Sequence, residues 1–248
     1  METIQHQLQK FDPGIVWLDS GNRVVAVNGV TMKVLGVNAG EVIGKNILQF
    51  HPEESRPKVQ WLLESSACPV ESPPPMAMMI NTPDRVLLIK VSKMLGGGEG
   101  VGTCMVFFDL TDVTTAPRQG SDDQDKPRLL YKIPVYKLNK VMLIDIDTVV
   151  HLKAEAHYTT VYTEREHYLC NLSLSDLESR LTKEKFIRVH RSHIINIIFA
   201  SAFEKVNDKY AITMETPDEV AIPVSRSNVV MLKKVLGVTA GCKLTNTK

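Results

Sequence analysis

The run Phe186-Ile187-Arg188-Val189-His190-Arg191-Ser192-His193-Ile194-Ile195-Asn196 interleaves branched apolar residues with two arginines and two histidines. Upstream of it, residues 132–163 read as two or three short strand-like segments rich in Val, Ile, Tyr and Thr. Residues 171–181 (NLSLSDLESRL) place Leu174, Leu177 and Leu181 on one helical face, with Ser175 and Glu178 in the spacing of a capping box. Downstream, FEKV (203–206), YAITME (210–215) and VAIPV (220–224) are strand candidates. A closing helix is expected after Ser225 as cap, carrying Val229, Leu232 and Leu236. The back half is therefore expected to be mostly β, with two short helices.

The chain has 248 residues, 44% hydrophobic and 23% charged, room for one large domain or two small ones. Its net charge of +1 conceals an asymmetry: net −3 over residues 1–115 and net +4 over residues 131–248. That split suits a sensor joined to a nucleic-acid binder. Between them, Ala116 to Arg128 holds two prolines, one glycine, six charges and no large apolar residue. Such a stretch buries too little to offset its ordering entropy, so residues 116–130 read as a flexible linker. The four cysteines (Cys68, Cys104, Cys170, Cys242) form no CxxC pair, which argues against zinc fingers, redox motifs and a disulfide scaffold. Apolar runs stop at about ten residues, short of the roughly 20 that a membrane span needs. No apolar h-region follows the N-terminus, so a cytoplasmic protein is expected.

The front half has a different rhythm. Two β-rich runs, Ile15 to Leu18 and Arg23 to Val27, flank the turn residues Asp19-Ser20-Gly21-Asn22. Asn28 precedes a helical pattern that stops at Gly36, and Lys58 to Glu64 reads as a further helix. MAMMI (76–80), RVLLIKVSKM (85–94) and GTCMVFFDLT (102–111) read as three antiparallel strands, with turns at Asn81 to Asp84 and at Gly96 to Gly100. The whole chain is thus of the α+β class. Three side chains have metal-ligand chemistry: His51, held from helical geometry by Pro52; Cys68; and Met78, which follows three prolines. Taken singly, a His before Pro in a polar loop is usually solvated, a strand Met is usually core packing, and a lone Cys is most often a small buried hydrophobe. Imidazole, thiolate and thioether are axial haem ligands, thiolate suiting ferric iron and thioether ferrous iron.

Residues 8–115, ending in the DLT-D segment (Asp109 to Asp112), resemble a PAS domain, a fold that commonly dimerises and holds small cofactors between sheet and helices. The run Phe186 to Asn196 together with Ile222 to Ser227 resembles the LytTR DNA-binding domain, which implies loops presented to successive major grooves at paired sites. By that resemblance the base-reading positions fall on His157, Arg191 and Arg226. The chemistry agrees, because Arg can bridge guanine O6 and N7 and a His ring can donate to a purine N7. Arg188, Lys153, Lys205, Lys233 and Lys234 are then expected at phosphates. Some members of the family carry Asn at the place of Arg191. His190 alternates with Val189 and is read as an inward, hydrogen-bonded residue outside the DNA-contacting set.

HPEESR (51–56), CPV-SPPP, AMMIN-PDR and GTCM-F-D-TD-TT together resemble the RcoM family of haem-based carbon monoxide sensors. That implies one haem b per chain in a PAS domain at 1–115, a linker at 116–130 and a LytTR domain at 131–248. His51 is implied as the retained axial ligand, Cys68 as the ferric ligand, and Met78 as the ferrous ligand that carbon monoxide replaces. The implied partners are double-stranded DNA at paired promoter sites, carbon monoxide and a second copy of the chain, with no membrane. Met76, Ile80, Val86 and Leu88 are expected to face the pocket and offer no donor to dioxygen. Met79 should face away from the pocket, and Cys104 and Met105 read as strand core. A flavin, a fatty acid or another small molecule in the same pocket is the alternative input. No GxSxG, HExxH or P-loop is present, and the Gly96–Gly100 loop lacks a following helix, so an enzyme is not expected.

Overall fold

The computed structural model describes residues 12–51, 53–65, 76–78, 85–96, 99–117, 127–137, 140–155, 158–216 and 220–237. They divide into two compact units, residues 1–145 with 170–172, and residues 146–169 with 173–248.

The first unit is built on a five-stranded antiparallel sheet. Its strands are β1 (Gly14–Leu18), β2 (Val24–Val27), β3 (Met76–Met78), β4 (Leu87–Gly96) and β5 (Glu99–Asp109), in the order β2-β1-β5-β4-β3. The turn after β1 forms as its residues suggest. The Asp19 carboxylate accepts from the Gly21 and Arg23 amides at 2.9 and 2.8 Å, and Asn22 takes the left-handed conformation at φ 59°. Asn28 caps α1 (Gly29–Leu35): its Oδ1 accepts from Thr31 N and from Ile15 N, both at 3.0 Å, which ties the helix to β1. Gly36 ends α1 in the left-handed conformation, φ 66°. The short α2 (Ala39–Val42) and α3 (Arg56–Ser65) complete the helical layer. Val16, Leu18, Val24, Leu87, Ile89, Val91, Met105 and Phe107 from the sheet bury against Val42, Ile47, Val59, Leu62 and Leu63 from that layer. Period-2 alternation thus sends one face of β4 and β5 into the core. The face differs by one residue from the sequence expectation: Ile89, not Leu88, looks to the helices, and Val86 is buried without reaching the cavity.

β5 runs into α4 (Thr111–Thr114). The ends of the stretch read as a linker pair with one another, Ala116 N donating to Leu129 O and Tyr131 N to Thr114 O, each at 3.0 Å. Backbone groups at both ends are thereby satisfied. The hairpin β6 (Lys132–Lys137) and β7 (Lys140–Asp145) follows.

The second unit carries β8 (Val149–Glu155), β9 (Tyr158–Thr163), β10 (His167–Cys170), β11 (Phe186–His190) and β12 (His193–Asn196), ordered β11-β12-β8-β9-β10. A separate sheet β13-β14-β15 comprises Ala200–Val206, Lys209–Met214 and Ala221–Val224. Between β10 and β11 in the chain comes α5 (Leu174–Arg180), whose Leu174 and Leu177 are buried as the spacing requires; full burial of one leucine contributes about 1.5–3 kcal/mol. Its capping box sits two residues earlier than the sequence reading placed it. Ser173 Oγ accepts from Asp176 N at 3.1 Å, and Asp176 Oδ2 accepts from Ser173 N at 3.2 Å. Starting there leaves Ser175 and Glu178 free to face β11. The closing helix α6 (Val229–Val235) begins at Asn228, because residues Arg226–Asn228 form a 3-10 turn that Ser225 precedes. Val229 and Leu232 seal α6 onto Val150, Val189, Ile195, Ile212 and Ile222.

Candidate functional site

A cavity of about 390 Å³ opens between sheet and helices of the first unit, lined among others by Val16, Val24, Leu35, Ile89, Met105, Phe107 and His51. That volume lies in the range of small-molecule and cofactor pockets. His51 reaches it because Asn46 caps a 3-10 turn at Ile47–Phe50, accepting from Leu48 N at 2.9 Å. The histidine ends that turn in extended geometry, φ −114° and ψ 141°, as the following Pro52 favours. Arg56 Nε donates to the carbonyls of Leu48 and His51, both at 3.1 Å, and locks the segment. The ring itself is 7% exposed, and its Nδ1 lies 2.9 Å from the Ile47 carbonyl. A carbonyl only accepts, so Nδ1 carries the proton and Nε2 keeps its lone pair. Burial pushes the His51 pKa down; the bond to Ile47 opposes this and Arg56 adds to it. A neutral imidazole with Nδ1 anchored to backbone is the form that ligates a metal.

The pocket also differs from the expected set. Met105 is core as read and also lines the cavity, and Ile89 takes the place given to Leu88. Cys104 alternates away and is half-buried, its thiol pKa raised by desolvation. Thr31 and Gln49 bring polar groups into the wall, so it is not purely apolar. The Thr31 hydroxyl is engaged with the Ile15 carbonyl at 3.0 Å and Asn28 Oδ1 at 2.8 Å. Met78 is placed by its backbone in β3, opposite Leu87, while Met76 pairs with Ile89. Cys68, Met79 and Ile80 lie outside the described residues.

In the second unit, β11 and β12 form a hairpin with Arg191 and Ser192 at its tip. Arg191 is exposed, as is Arg226 on the 3-10 turn, and neither guanidinium makes a hydrogen bond or ion pair among the described residues. The two turns share one support. Ser225 N donates to Val189 O at 2.8 Å, and Asn228 Nδ2 donates to Arg188 O at 2.8 Å. Lys153 pairs with His193 in the register of β8 and β12, and its ammonium meets Glu155 at 2.7 Å. Lys205 and Lys233 lie 5.9 and 5.4 Å from the Tyr210 ring centre. Arg188, expected at a phosphate, is instead bonded to Glu178 and to the Arg191 carbonyl. His190 is half-buried with Nδ1 2.8 Å from Ser192 Oγ, the hydrogen-bonded state read for it. His157 lies outside the described residues. Among the described residues no group of three His, Cys, Asp or Glu is arranged to hold a metal ion.

Sequence reasoning missed Ser192 and Asn228, and gave Ser225 and Glu178 only capping roles. Their contacts join residues that are ten or more apart or lie across a turn, and no periodicity records such pairs.

A curated relative from Paraburkholderia xenovorans (strain LB400), named "Heme-containing CO-sensing transcriptional regulator RcoM 1", is 46% identical over 96% of this chain and 94% of its own. The chain belongs to the RcoM family. A second RcoM protein, the "CO-responsive transcriptional regulator RcoM" of Rhodospirillum rubrum, is 29% identical over 96% of this chain and the whole of its own. The RcoM likeness spans both units, and family profiles divide it: the PAS fold matches residues 2–109 and the LytTr DNA-binding domain residues 139–237. A solved LytTr DNA-binding domain from Bacillus cereus is 26% identical, covering 43% of this chain and 97% of its own, with a TM-score of 0.40. The α+β reading, PAS in front and LytTR behind, therefore stands for this RcoM protein. No helix of the described residues is long and apolar enough to cross a membrane.

Proposed function

We propose that this protein is a haem-dependent, carbon monoxide-responsive transcriptional regulator of the cytoplasm, acting as a homodimer on paired promoter sites and catalysing no reaction. The observation that carries the reading is the anchored His51 imidazole in an apolar cavity of cofactor size, in a chain 46% identical to a regulator named for haem and CO. The working division is a sensor at 1–115, a linker at 116–130 and a DNA-binding domain at 131–248. One haem b per chain, when bound, would supply reversible carbon monoxide binding.

His51 holds its side of the site through Nε2, kept available by the Ile47 carbonyl. Cys68 and Met78 would hold the group with it, the thiolate suiting the ferric form and the thioether the ferrous form. Met78 would be the residue replaced by carbon monoxide. Its strand, β3, pairs with β4, whose Ile89 lines the same cavity as His51, so release of Met78 bears on the cavity wall. The gas shifts the chain toward a DNA-competent form only by binding that form more tightly. Arg191 and Arg226 read bases, His157 assists, and Lys153 meets phosphate.

Absorption spectra of the purified full chain test this. The Soret band is expected to move on dithionite reduction and again with carbon monoxide. His51→Ala should lose haem or alter the ferrous–CO spectrum, and Cys68→Ala and Met78→Ala should change only the ferric and ferrous spectra respectively. A colourless preparation, or a flavin spectrum, overturns the haem reading. For the DNA arm, Arg191→Ala and Arg226→Ala should each relax sequence preference by about 1–3 kcal/mol. An equal loss on every sequence would make them phosphate contacts.

A further inference from the structure

We propose that Arg188 is a positioning residue that holds the two base-reading turns in fixed relation, and that it does not contact DNA. The inference rests on the assignment of Arg191 and Arg226 as base-reading residues. The Arg188 guanidinium is half-buried and makes three hydrogen bonds to the protein. Its Nη1 donates to Glu178 Oε2 at 2.5 Å and to Ser175 Oγ at 3.3 Å, and its Nη2 donates to the Arg191 carbonyl at 2.8 Å. Its main chain faces the other turn. The Arg188 carbonyl accepts from Asn228 Nδ2 at 2.8 Å, and the neighbouring Val189 carbonyl accepts from Ser225 N at 2.8 Å. One residue therefore bonds to the turn carrying Arg191 through its side chain and to the turn carrying Arg226 through its backbone.

Charge argues the same way. A phosphate approaching Arg188 would meet the Glu178 carboxylate, which already neutralises it, and would have to displace a charge-assisted bond at 2.5 Å. Lys153 is also paired, but by one exposed contact that water exchanges readily. Arg191 and Arg226, by contrast, have no such partner among the described residues. The rigid fork of guanidinium donors suits the two-way contact, reaching a carboxylate and a backbone carbonyl at once, whereas an ammonium is a single flexible point charge. The far side of the hairpin tip is fixed too, since Ala154 N donates to the Ser192 carbonyl at 2.8 Å. The missing restraint without Arg188 is then the one beneath Arg191.

The test uses the full-length protein, a duplex that the wild type enriches from a randomised double-stranded DNA pool, and a scrambled duplex of the same composition. Both Arg188→Ala and Glu178→Gln should lower the preference for the enriched duplex, by about tenfold for the former, with the salt dependence on scrambled DNA unchanged. Arg188→Lys should fall between Ala and wild type. In an Arg191→Ala background, Arg188→Ala should cost no further preference, because it acts through the residue already removed. Two results overturn the proposal: a salt slope lower by about one in Arg188→Ala, or tighter binding to scrambled DNA in Glu178→Gln, each the mark of a phosphate contact. If Arg188→Ala does not fold, Glu178→Gln decides alone, since the two readings predict opposite signs for it. A wild type that enriches no sequence overturns the base-reading assignment itself.

Discussion

His51 gives one ring nitrogen to the fold and keeps the other for the cavity, and the division depends on a single backbone carbonyl at 2.9 Å. Individual atoms also shape the wall facing it. Gly14 lies under the Phe107 ring, and a Cβ there would come within 2.1 Å of the ring tip. Phe107 is 3% exposed and borders the cavity, so the ring can yield only into that space or by straining β5. Gly14→Ala is therefore expected to cost about 1–3 kcal/mol and to lower haem content per chain. A denaturation midpoint and a haem-to-protein ratio equal to those of the wild type would refute this packing. Gly102 faces a harder limit, because its Cβ would meet the Leu18 carbonyl at 2.2 Å.

At the scale of elements, helix starts carry the clearest lesson. Two serines two residues apart both fit a capping pattern, Ser173 with Asp176 and Ser175 with Glu178. The first pair forms the cap, and the second turns toward Arg188. Burial decides between them, since the register seating Leu174 and Leu177 in the core begins at Ser173. Ser173→Ala should then cost about 1 kcal/mol in a thermal melt, and Ser175→Ala within about 0.5 kcal/mol. The reverse ranking would restore the later start. The strands show the same ambiguity: β4 alternates strictly, but nothing in RVLLIKV says whether Leu88 or Ile89 faces the helices, since both are large and apolar. The registers of β3 on β4 and of β4 on β5, with the helical layer on one face, settle it for Ile89.

For the molecule as a whole, three buried or half-buried histidines make stability sensitive to acid. Burial, the His193 ring and Lys153 push the His151 pKa down to about 4; burial, His190 and Lys153 push His193 to about 4, with Glu155 opposing. His51 is lowered as well, chiefly by burial. An unfolded chain takes up the His151 and His193 protons near pH 6.5 and the folded chain only near 4, so the unfolded state binds more protons in between; lowered His51 acts in the same direction. Their stabilisation is complete above about pH 6.5 and is lost as pH falls toward 4. The denaturation midpoint, followed by circular dichroism, should be lower at pH 5 than at pH 7.5. His151→Phe should lessen the difference, because a phenyl ring can keep the stack on Tyr162, 4.1 Å away, and cannot be protonated. Equal midpoints at the two pH values would count against the buried neutral histidines. Composition and local pattern were enough to specify two modules, their α+β character, the strand-rich segments and the residue types suited to a haem and to guanine, because those properties are carried by spacing and side-chain chemistry along the chain. Which strand face meets the cavity, which serine caps α5, which nitrogen His51 offers and whether Arg188 is free or bound were decided only in three dimensions. Each depends on a partner distant in sequence, and burial and hydrogen-bond satisfaction select that partner only once the chain has closed on itself.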